Sequence, residues 1–510
     1  MPITPTYPGV YVTEIPSGVR PITGVATSIT AFLGAALKGP VNRPTQVNGY
    51  ADFERIFGGL WARSPMSFAV RDFFLNGGGQ ALIVRLVRED AQRAKIDVGD
   101  LHLVAGSEGA WSANLEVTIA AGSTDKDVLD KYRVEAGDLF TLSVVDVKTG
   151  DGETFPNVTL KAASPRFLPE VLAHESILLD VVDPLPTTTP TASSGNKVTV
   201  EGVDGSALND DSYTGTGKEA AQEGLYALEK ADLFNLLCIP PSLLEPAIST
   251  SAGVYGKALA YCVKRRAMLI VDPPPTLNTS NGSTELTALG LNGTDARNAV
   301  LYFPRIIEPD PTAENRPKAF VPCGAMAGIM ARTDASRGVW KAPAGLDAGI
   351  AGVTDLQVNL NNDQNGTLNQ LGINCLRTFP IVGRVVWGAR TLRGADLLAD
   401  EYKYVPVRRL ALFLEESLFR GTQWAVFEPN DEPLWAQIRL NLGAFMQNLF
   451  RQGAFEGKSP RDAYFVKCDG ETTTANDRNL GRLNIVVGFA PLRPAEFVIL
   501  QIQQIARAVA

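Results

Sequence analysis

Tyr402–Trp435, YKYVPVRRLALFLEESLFRGTQWAVFEPNDEPLW, reads as a strand, a helix, a strand and a second helix with almost no slack between them. Arg408–Arg420 sets Leu410, Phe413, Leu414 and Leu418 on one helical face, places Glu416 four residues before Arg420, and stops at Gly421. Asp431 can cap the next helix, with Pro433 tolerated in its first turn. That helix carries Leu434, Ile438, Leu442, Phe445 and Leu449 on one stripe and ends by Gly453. The strand AYFVKCD (Ala463–Asp469), a polar loop and the strand NIVVGFAP follow. Beyond Pro494 the chain closes with AEFVILQIQQIA, whose Val498, Leu500 and Ile502 alternate as a strand would; a short helix is the competing reading.

The opposite end has a similar loose segment. Pro2, Pro5, Pro8 and Pro16 forbid a helix in residues 1–20, and Val10, Tyr11, Val12 and Thr13 form a short run of strand formers. Such a strand has no hairpin partner nearby, so its backbone groups must find hydrogen bonds elsewhere, on another molecule. The same reading applies to Phe497, Val498, Ile499, Leu500 and Ile502 at the far end.

Between these ends, Ile22–Gly34 is a β-branched run ending in AFLG, read as a buried strand. Tyr50–Phe57 reads as a helix. Pro65 opens another, with Phe68, Phe73 and Leu75 as apolar residues ahead of a triple glycine, and ALIVRLV (Ala81–Val87) reads as a buried strand. Residues 91–215 change character: Leu115–Ile119, Phe140–Val147, Val158–Leu160, Ile177–Val182 and Val198–Val200 read as short strands of an all-β insertion, separated by polar turns and the stretch PTTTPTASSGN. After it, KEAAQEGLYALEKA reads as a helix, FNLLCIP as a strand, YGKALAYCVKRR as a helix, and AMLIVDPP and NAVLYFPRI as strands. This alternation predicts an α/β domain with a central sheet that continues across the insertion. GAMAGIMARTDASRGVWKAPAG reads as a short helix and a Gly/Pro loop.

Charge is unevenly placed. Of a net −8, residues 91–215 contribute 9 basic against 20 acidic groups, while the rest is near neutral. A near-neutral body suits extensive protein contact, and the acidic insertion suits a solvated outer face. Nucleic acid is a poor partner without clustered Lys and Arg. No run of 18 apolar residues exists, so membrane insertion is not expected, and MPITPTYPGV lacks the pattern of a secretory signal, which implies synthesis in the cytoplasm.

No chemical centre emerges, and catalytic, metal and cofactor sites are all expected to be absent. His102 and His174 both lie in the insertion among ordinary surface residues. Cys238, Cys262, Cys323, Cys375 and Cys468 have neither zinc-ligand spacing nor the even count of a disulfide framework, and read as small buried hydrophobes. GTGKE (Gly215–Glu219) lacks the rest of a phosphate loop: Ser212 and Glu219 stand where a glycine and a Ser or Thr are needed. NNDQNG (Asn361–Gly366) starts like a calcium loop, but Gly372 replaces the closing Glu, and it reads as a turn. Glu415 and Glu416 face different directions on a helix and do not form an acid/base couple.

YPGVYVTEIPSGVRPITGVATSITAFLG (Tyr7–Gly34) resembles the N-terminal arm of contractile tail sheath proteins, and the Tyr402–Trp435 stretch resembles their C-terminal domain. The glycine loop before Ala81, GAMAGIMARTDASRGVWKAPAG and LNQLGINCLRTFP resemble further segments of that family. The resemblance implies a multidomain fold of α+β and α/β parts. An N-terminal arm (1–20) would precede an α/β domain (21–90 and 216–355) carrying the acidic β-rich outer insertion (91–215). A C-terminal inner-layer domain (356–493) and a C-terminal strand arm (494–510) would follow. It further implies a helical homopolymer, six-fold in cross-section, around an inner tube protein and bounded by baseplate and terminator or cap proteins. Its contraction would drive the tube through a target envelope, in a phage tail or phage-tail-like particle released on lysis. Arg439 and Arg451 are the candidate tube-facing contacts. A non-contracting tail or baseplate protein and a soluble α/β enzyme are the rival readings.

Overall fold

A computed structural model describes residues 20–243 and 248–501 and divides the chain into two compact units. The larger comprises residues 27–336 and 342–405; the smaller holds the described residues up to 26, residues 337–341 and residues 406 onward.

The larger unit begins with β1 (Thr30–Gly34), β2 (Thr45–Val47), α1 (Tyr50–Phe57), α2 (Pro65–Leu75) and β3 (Ala81–Arg85). Ser64 caps α2 by accepting from the Ser67 N–H, with Pro65 in the first turn. The chain then enters the insertion: β4 (Lys95–Val98), β5 (Leu101–Ala105), β6 (Leu115–Ala121), α3 (Lys126–Tyr132), β7 (Phe140–Asp146), β8 (Gly152–Val158), α4 (Leu168–Glu175), β9 (Leu179–Val181) and β10 (Ser193–Lys197). These strands form two small sheets, ordered β4–β5–β9 and β10–β6–β7–β8, around a core that includes Trp111, Val117, Phe140, Leu142 and Phe155.

The chain returns through α5 (Asp210–Thr214), α6 (Lys218–Ala221), β11 (Leu236–Cys238), α7 (Ala252–Lys264), β12 (Met268–Val271), α8 (Gly282–Leu289), β13 (Ala299–Phe303), β14 (Ile306–Asp310), β15 (Arg316–Phe320) and α9 (Cys323–Arg337). Then come β16 (Asp355–Leu356), α10 (Asn362–Gln370), β17 (Asn374–Phe379) and β18 (Gly383–Val386). The central sheet runs β18–β17–β13–β12–β11–β1–β3–β2. Its inner six strands are parallel, and β2 and β18 close the edges antiparallel. Burial on both faces explains why MLIV, AVLYF and ALIVR are continuous apolar runs without alternation. The α/β alternation expected across the insertion is therefore present: β1 pairs with β3 before it and with β11 after it.

The smaller unit is built on α11 (Val405–Thr422, its first residue belonging to the larger unit), α12 (Glu432–Arg451), β19 (Tyr464–Lys467) and β20 (Val486–Phe489). Asp431 caps α12 by accepting from the Glu432 N–H, and Leu434, Ile438, Leu442, Phe445 and Leu449 are all buried, as the stripe predicts.

Several expectations are corrected. The strands read at either end of α11 are absent. Tyr404 forms an isolated bridge to Arg390 and no strand, and Gln423–Ala425 is a 3-10 turn followed by Val426 and a fully exposed Phe427. Strand formers there have no neighbouring strand to pair with. The insertion is not all-β, since α3 and α4 lie within it; of Val158–Leu160 only Val158 belongs to a strand, ending β8, and Val198–Val200 is not a strand. The helix read over 218–231 breaks after Ala221, where Gln222 and Gly224 take φ of 52° and 61° and the chain restarts as a 3-10 turn. Of Ile22–Gly34 only Thr30–Gly34 is a strand, and Leu75 projects outward. Asn361–Gly366 is a helix start, not a turn: Asn361 and Gln364 form a reciprocal capping box for α10. The boundary expected at 356 lies near 405, because β17 and β18 extend the central sheet. Residues 494–501 form neither strand nor helix.

Candidate assembly surface

Three features of the smaller unit stand out. The first is a strap, residues 20–26, lying along α11 and α12. The Arg20 N–H donates to Asn441 Oδ1 at 3.3 Å on α12, and the Val25 N–H donates to Ser417 Oγ at 3.1 Å on α11. The Arg20 guanidinium sits 4.6 Å above the Trp424 ring. Between these ties, Ile22 packs against both apolar clusters of the unit, one around Leu414 and Phe445 and the other around Trp435 and Ile438. Two glycines make room for it: a Cβ on Gly24 would meet Phe413 at 2.8 Å, and one on Gly421 would meet Ile22 at 2.7 Å.

The second feature is the two-stranded sheet, paired Tyr464↔Phe489 through Lys467↔Val486. Phe455 packs beside both Tyr464 and Phe489 with ring centroids 6.1 Å away, and the Tyr464 hydroxyl donates to Gln447 Oε1 at 2.8 Å, fixing the sheet on α12. Among the described residues no third strand pairs with either outer edge. A two-stranded sheet is marginal in water, and open edges offer rows of unused N–H and C=O groups.

The third feature is the chain beyond Pro494. Phe497, Val498, Ile499 and Leu500 are between 71% and 83% exposed, a run of four strand-forming apolar residues without cover in the isolated chain. Ile502, and Val10, Tyr11, Val12 and Thr13, lie outside the described residues. Arg439 is held by its own unit, donating to the Cys468 carbonyl and pairing with Glu432, whereas Arg451 ends α12 exposed. Nothing in the sequence singled out the strap: Gly421, read as the helix stop, falls in the last turn of α11, which runs to Thr422.

The residues weighed for chemistry are dispersed. His102 Nδ1 lies 2.6 Å from Asp97 on the exposed face of the β4–β5 pair, and hydrogen bonds from His102 and Thr199 hold the Asp97 carboxyl below its ordinary range. His174 lies in α4. The five cysteines are free and buried, and burial pushes the Cys375 thiol up to about 12 and the Cys468 thiol up to about 11. Lys218 is committed to Glu223 at 2.7 Å. Glu415 pairs with Arg408 at 3.2 Å and Glu416 with Arg420 at 2.7 Å, so the adjacent carboxylates serve different partners. No helix of the described residues is long and apolar enough to cross a membrane.

A multidomain α/β chain with an open-edged small sheet, an exposed apolar tail and a seated strap belongs to the class of structural subunits that build assemblies. Comparison gives the family. Residues 214–392 match the phage tail sheath protein central domain and residues 399–505 match the phage tail sheath C-terminal domain. The chain is similar to the tail sheath protein of Burkholderia phage BcepMu, 24% identical over 88% of this chain and 87% of that one. To the tail sheath protein of Vibrio phage KVP40 it is 32% identical over 25% of this chain, a match spanning 18% of that longer protein. In fold it is similar to the anti-feeding prophage helical sheath in its contracted state, with a TM-score of 0.59, 23% identity, and 98% of this chain and all of that one covered. The chain belongs to the phage tail sheath family and is a structural sheath protein.

Proposed function

We propose that this protein polymerises helically, six-fold in cross-section, around an inner tube protein between a baseplate and a terminal cap, and contracts to drive that tube through a target envelope. Its copies are knitted together by their ends: the N-terminal arm and the C-terminal strand arm add to the open edges of β19 and β20 in neighbouring copies. The observation that carries this reading is the pairing of an unfinished two-stranded sheet with an exposed apolar terminal segment in the same unit. Contacts of this head-to-tail kind do not close on themselves and generate helical polymers. An arm adding about five backbone hydrogen bonds, at roughly 0.5–1.5 kcal/mol net each, would hold neighbours together by several kcal/mol while the globular parts reorient. The insertion forms an outer acidic layer, the helical unit an inner one, and Arg439 and Arg451 lie on the tube side. The protein is assembled in the producing cell into a phage tail or tail-like particle and released on lysis.

Deletion of residues 1–20 tests this. Folded monomer without ordered tubes by electron microscopy is the expected result, and normal tubes from the truncated chain would exclude the arm mechanism.

A further inference from the structure

One buried cluster in the larger unit has more negative charge than partners. Asp72 near the end of α2 is fully buried, and Glu308 on β14 is 1% exposed. Arg71 lies between them: its Nε and Nη2 donate to Asp72 Oδ1 at 3.0 and 2.9 Å, and Nη2 also donates to Glu308 Oε2. Two buried oxygens remain without a donor, Asp72 Oδ2 and Glu308 Oε1. The two carboxyls converge on the same Arg71 Nη2, which donates to an oxygen of each. The other titratable groups facing the cluster are Tyr50, whose buried hydroxyl also has no partner, and Glu54, both on α1. Neither brings a second positive charge.

An anion without a partner in such a setting takes up a proton instead of remaining charged. We propose that Asp72 and Glu308 hold one proton between them at neutral pH, forming a clasp between α2 and the β14–β15–β16 sheet that opens in alkali. With the proton in place, one anion faces one guanidinium and the new O–H supplies a donor that the cluster otherwise lacks. Without it, two anions face one guanidinium across the junction. The junction is also tied by Phe68 on α2, whose ring centroid lies 4.6 Å from that of Phe320 on β15, and by Asn76, whose side chain accepts from the Ala351 N–H at 2.8 Å and donates to the Ala351 carbonyl at 3.3 Å in the loop before β16. Burial, and next the charge of Asp72, push the Glu308 carboxyl up to about 9, and burial raises Asp72 as well. A folded-state value above the ordinary one means stabilisation that is complete in acid and lost as pH climbs through about 9.

The test is thermal unfolding of the full chain from neutral pH to about pH 10, comparing the natural protein with Glu308→Gln. The glutamine amide donates to Asp72 and accepts from Arg71 without titrating. The natural protein should lose melting temperature across this range, and the variant should lose markedly less. Equal slopes would overturn the proposal. Should Glu308→Gln fail to fold, infrared difference spectroscopy of the otherwise natural chain carrying Asp272→Asn, which removes a second buried acid, decides. A protonated-carboxyl C=O band that is present at neutral pH and disappears in alkali supports the clasp, and no such band at neutral pH refutes it.

Discussion

Ile22 lies so close over Gly421 that a Cβ placed on the glycine would come within 2.7 Å of its side chain. A second helical glycine, Gly443 in α12, has nothing within 4 Å of that position. The two sites therefore separate helix propensity from packing. Gly443→Ala should stabilise the isolated chain by roughly 0.5–1 kcal/mol through propensity alone. Gly421→Ala gains up to about that amount but overpacks the strap at a cost of roughly 1–3 kcal/mol, so it should be neutral to destabilising. Hydrogen exchange at Val25, whose N–H is held by Ser417, reports the strap directly and should accelerate only in Gly421→Ala. Unchanged exchange there would show that the strap does not depend on this contact.

The exposure of the C-terminal tail makes a different prediction. Val498 and Leu500 are 78% and 83% exposed, so Val498→Asp with Leu500→Asp removes little packing from a single molecule. Chemical denaturation of the monomer should shift by less than about 0.5 kcal/mol per substitution. Tube formation, followed by light scattering and electron microscopy, should be lost, since paired carboxylates cannot enter an apolar intermolecular strand. A variant that unfolds but still polymerises on refolding would place the tail elsewhere.

The elements legible in the sequence are those whose signals are local. Ser64 with Pro65, Asp431 with Pro433, and the stripe from Leu434 to Leu449 each define a helix by its own caps and period. The family resemblance was legible at the two ends for the same reason. What escaped is what depends on a partner. YKYV and TQWAVFEP carry strand propensity but find no strand beside them, and the low-complexity SSGNK, poor in strand formers, becomes β10 because β6 lies next to it and Asn196 donates to the Val117 carbonyl at 2.9 Å. The strap over α11 and α12 is set by contacts nearly 400 residues apart in the chain (|i−j| = 392 for Val25 and Ser417), beyond any periodicity argument. For the proposed assembly surface, the sequence shows strand formers at both tips, but residues 494–501 take no strand in the single chain, and the open edges of the small sheet appear only once β19 and β20 are paired.

Asp272, just beyond β12, accepts the Cys323 N–H at 3.0 Å and so satisfies a backbone donor at the start of α9. Its other oxygen is buried without a partner, with Tyr255, Cys238 and Arg305 among the charged or titratable groups around it besides Cys323. Burial pushes its carboxyl up to about 7 from an ordinary 3.8. The contribution of this group to stability is therefore greatest at acid pH and declines as pH rises from 3.8 through about 7. Asp272→Asn keeps the acceptor and removes the titration, so its stability should vary less than the natural protein's over that range. Asp272→Ala loses the acceptor as well and should cost about 1–2 kcal/mol at pH 5. Parallel pH profiles for the natural protein and Asp272→Asn would contradict this assignment.

Arg85 ends β3 with its side chain 2% exposed, yet it is a charge with every arm engaged. Nε donates to the Ala36 carbonyl at 2.9 Å, Nη1 to Gly39 at 2.9 Å and Nη2 to Glu108 at 2.7 Å, with the Glu108 carboxylate 3.6 Å away. Ala36 and Gly39 belong to the loop after β1, and Glu108 to the insertion's loop after β5, so one guanidinium ties the central sheet to the insertion. Burial lowers its pKa to about 10, which leaves it charged at neutral pH. Arg85→Met fills similar volume but strands three carbonyls and releases Glu108. At about 1–3 kcal/mol for each buried group left unmet, partly relieved by water, the cost should be about 3–5 kcal/mol. Arg85→Lys should recover only a fraction, because one ammonium cannot span the planar fork of three acceptors. Limited proteolysis locates the damage: cleavage within residues 91–203 should rise well before cleavage in β11–β13. Uniform acceleration across both regions would mean that Arg85 supports the sheet alone and does not tie the insertion to it.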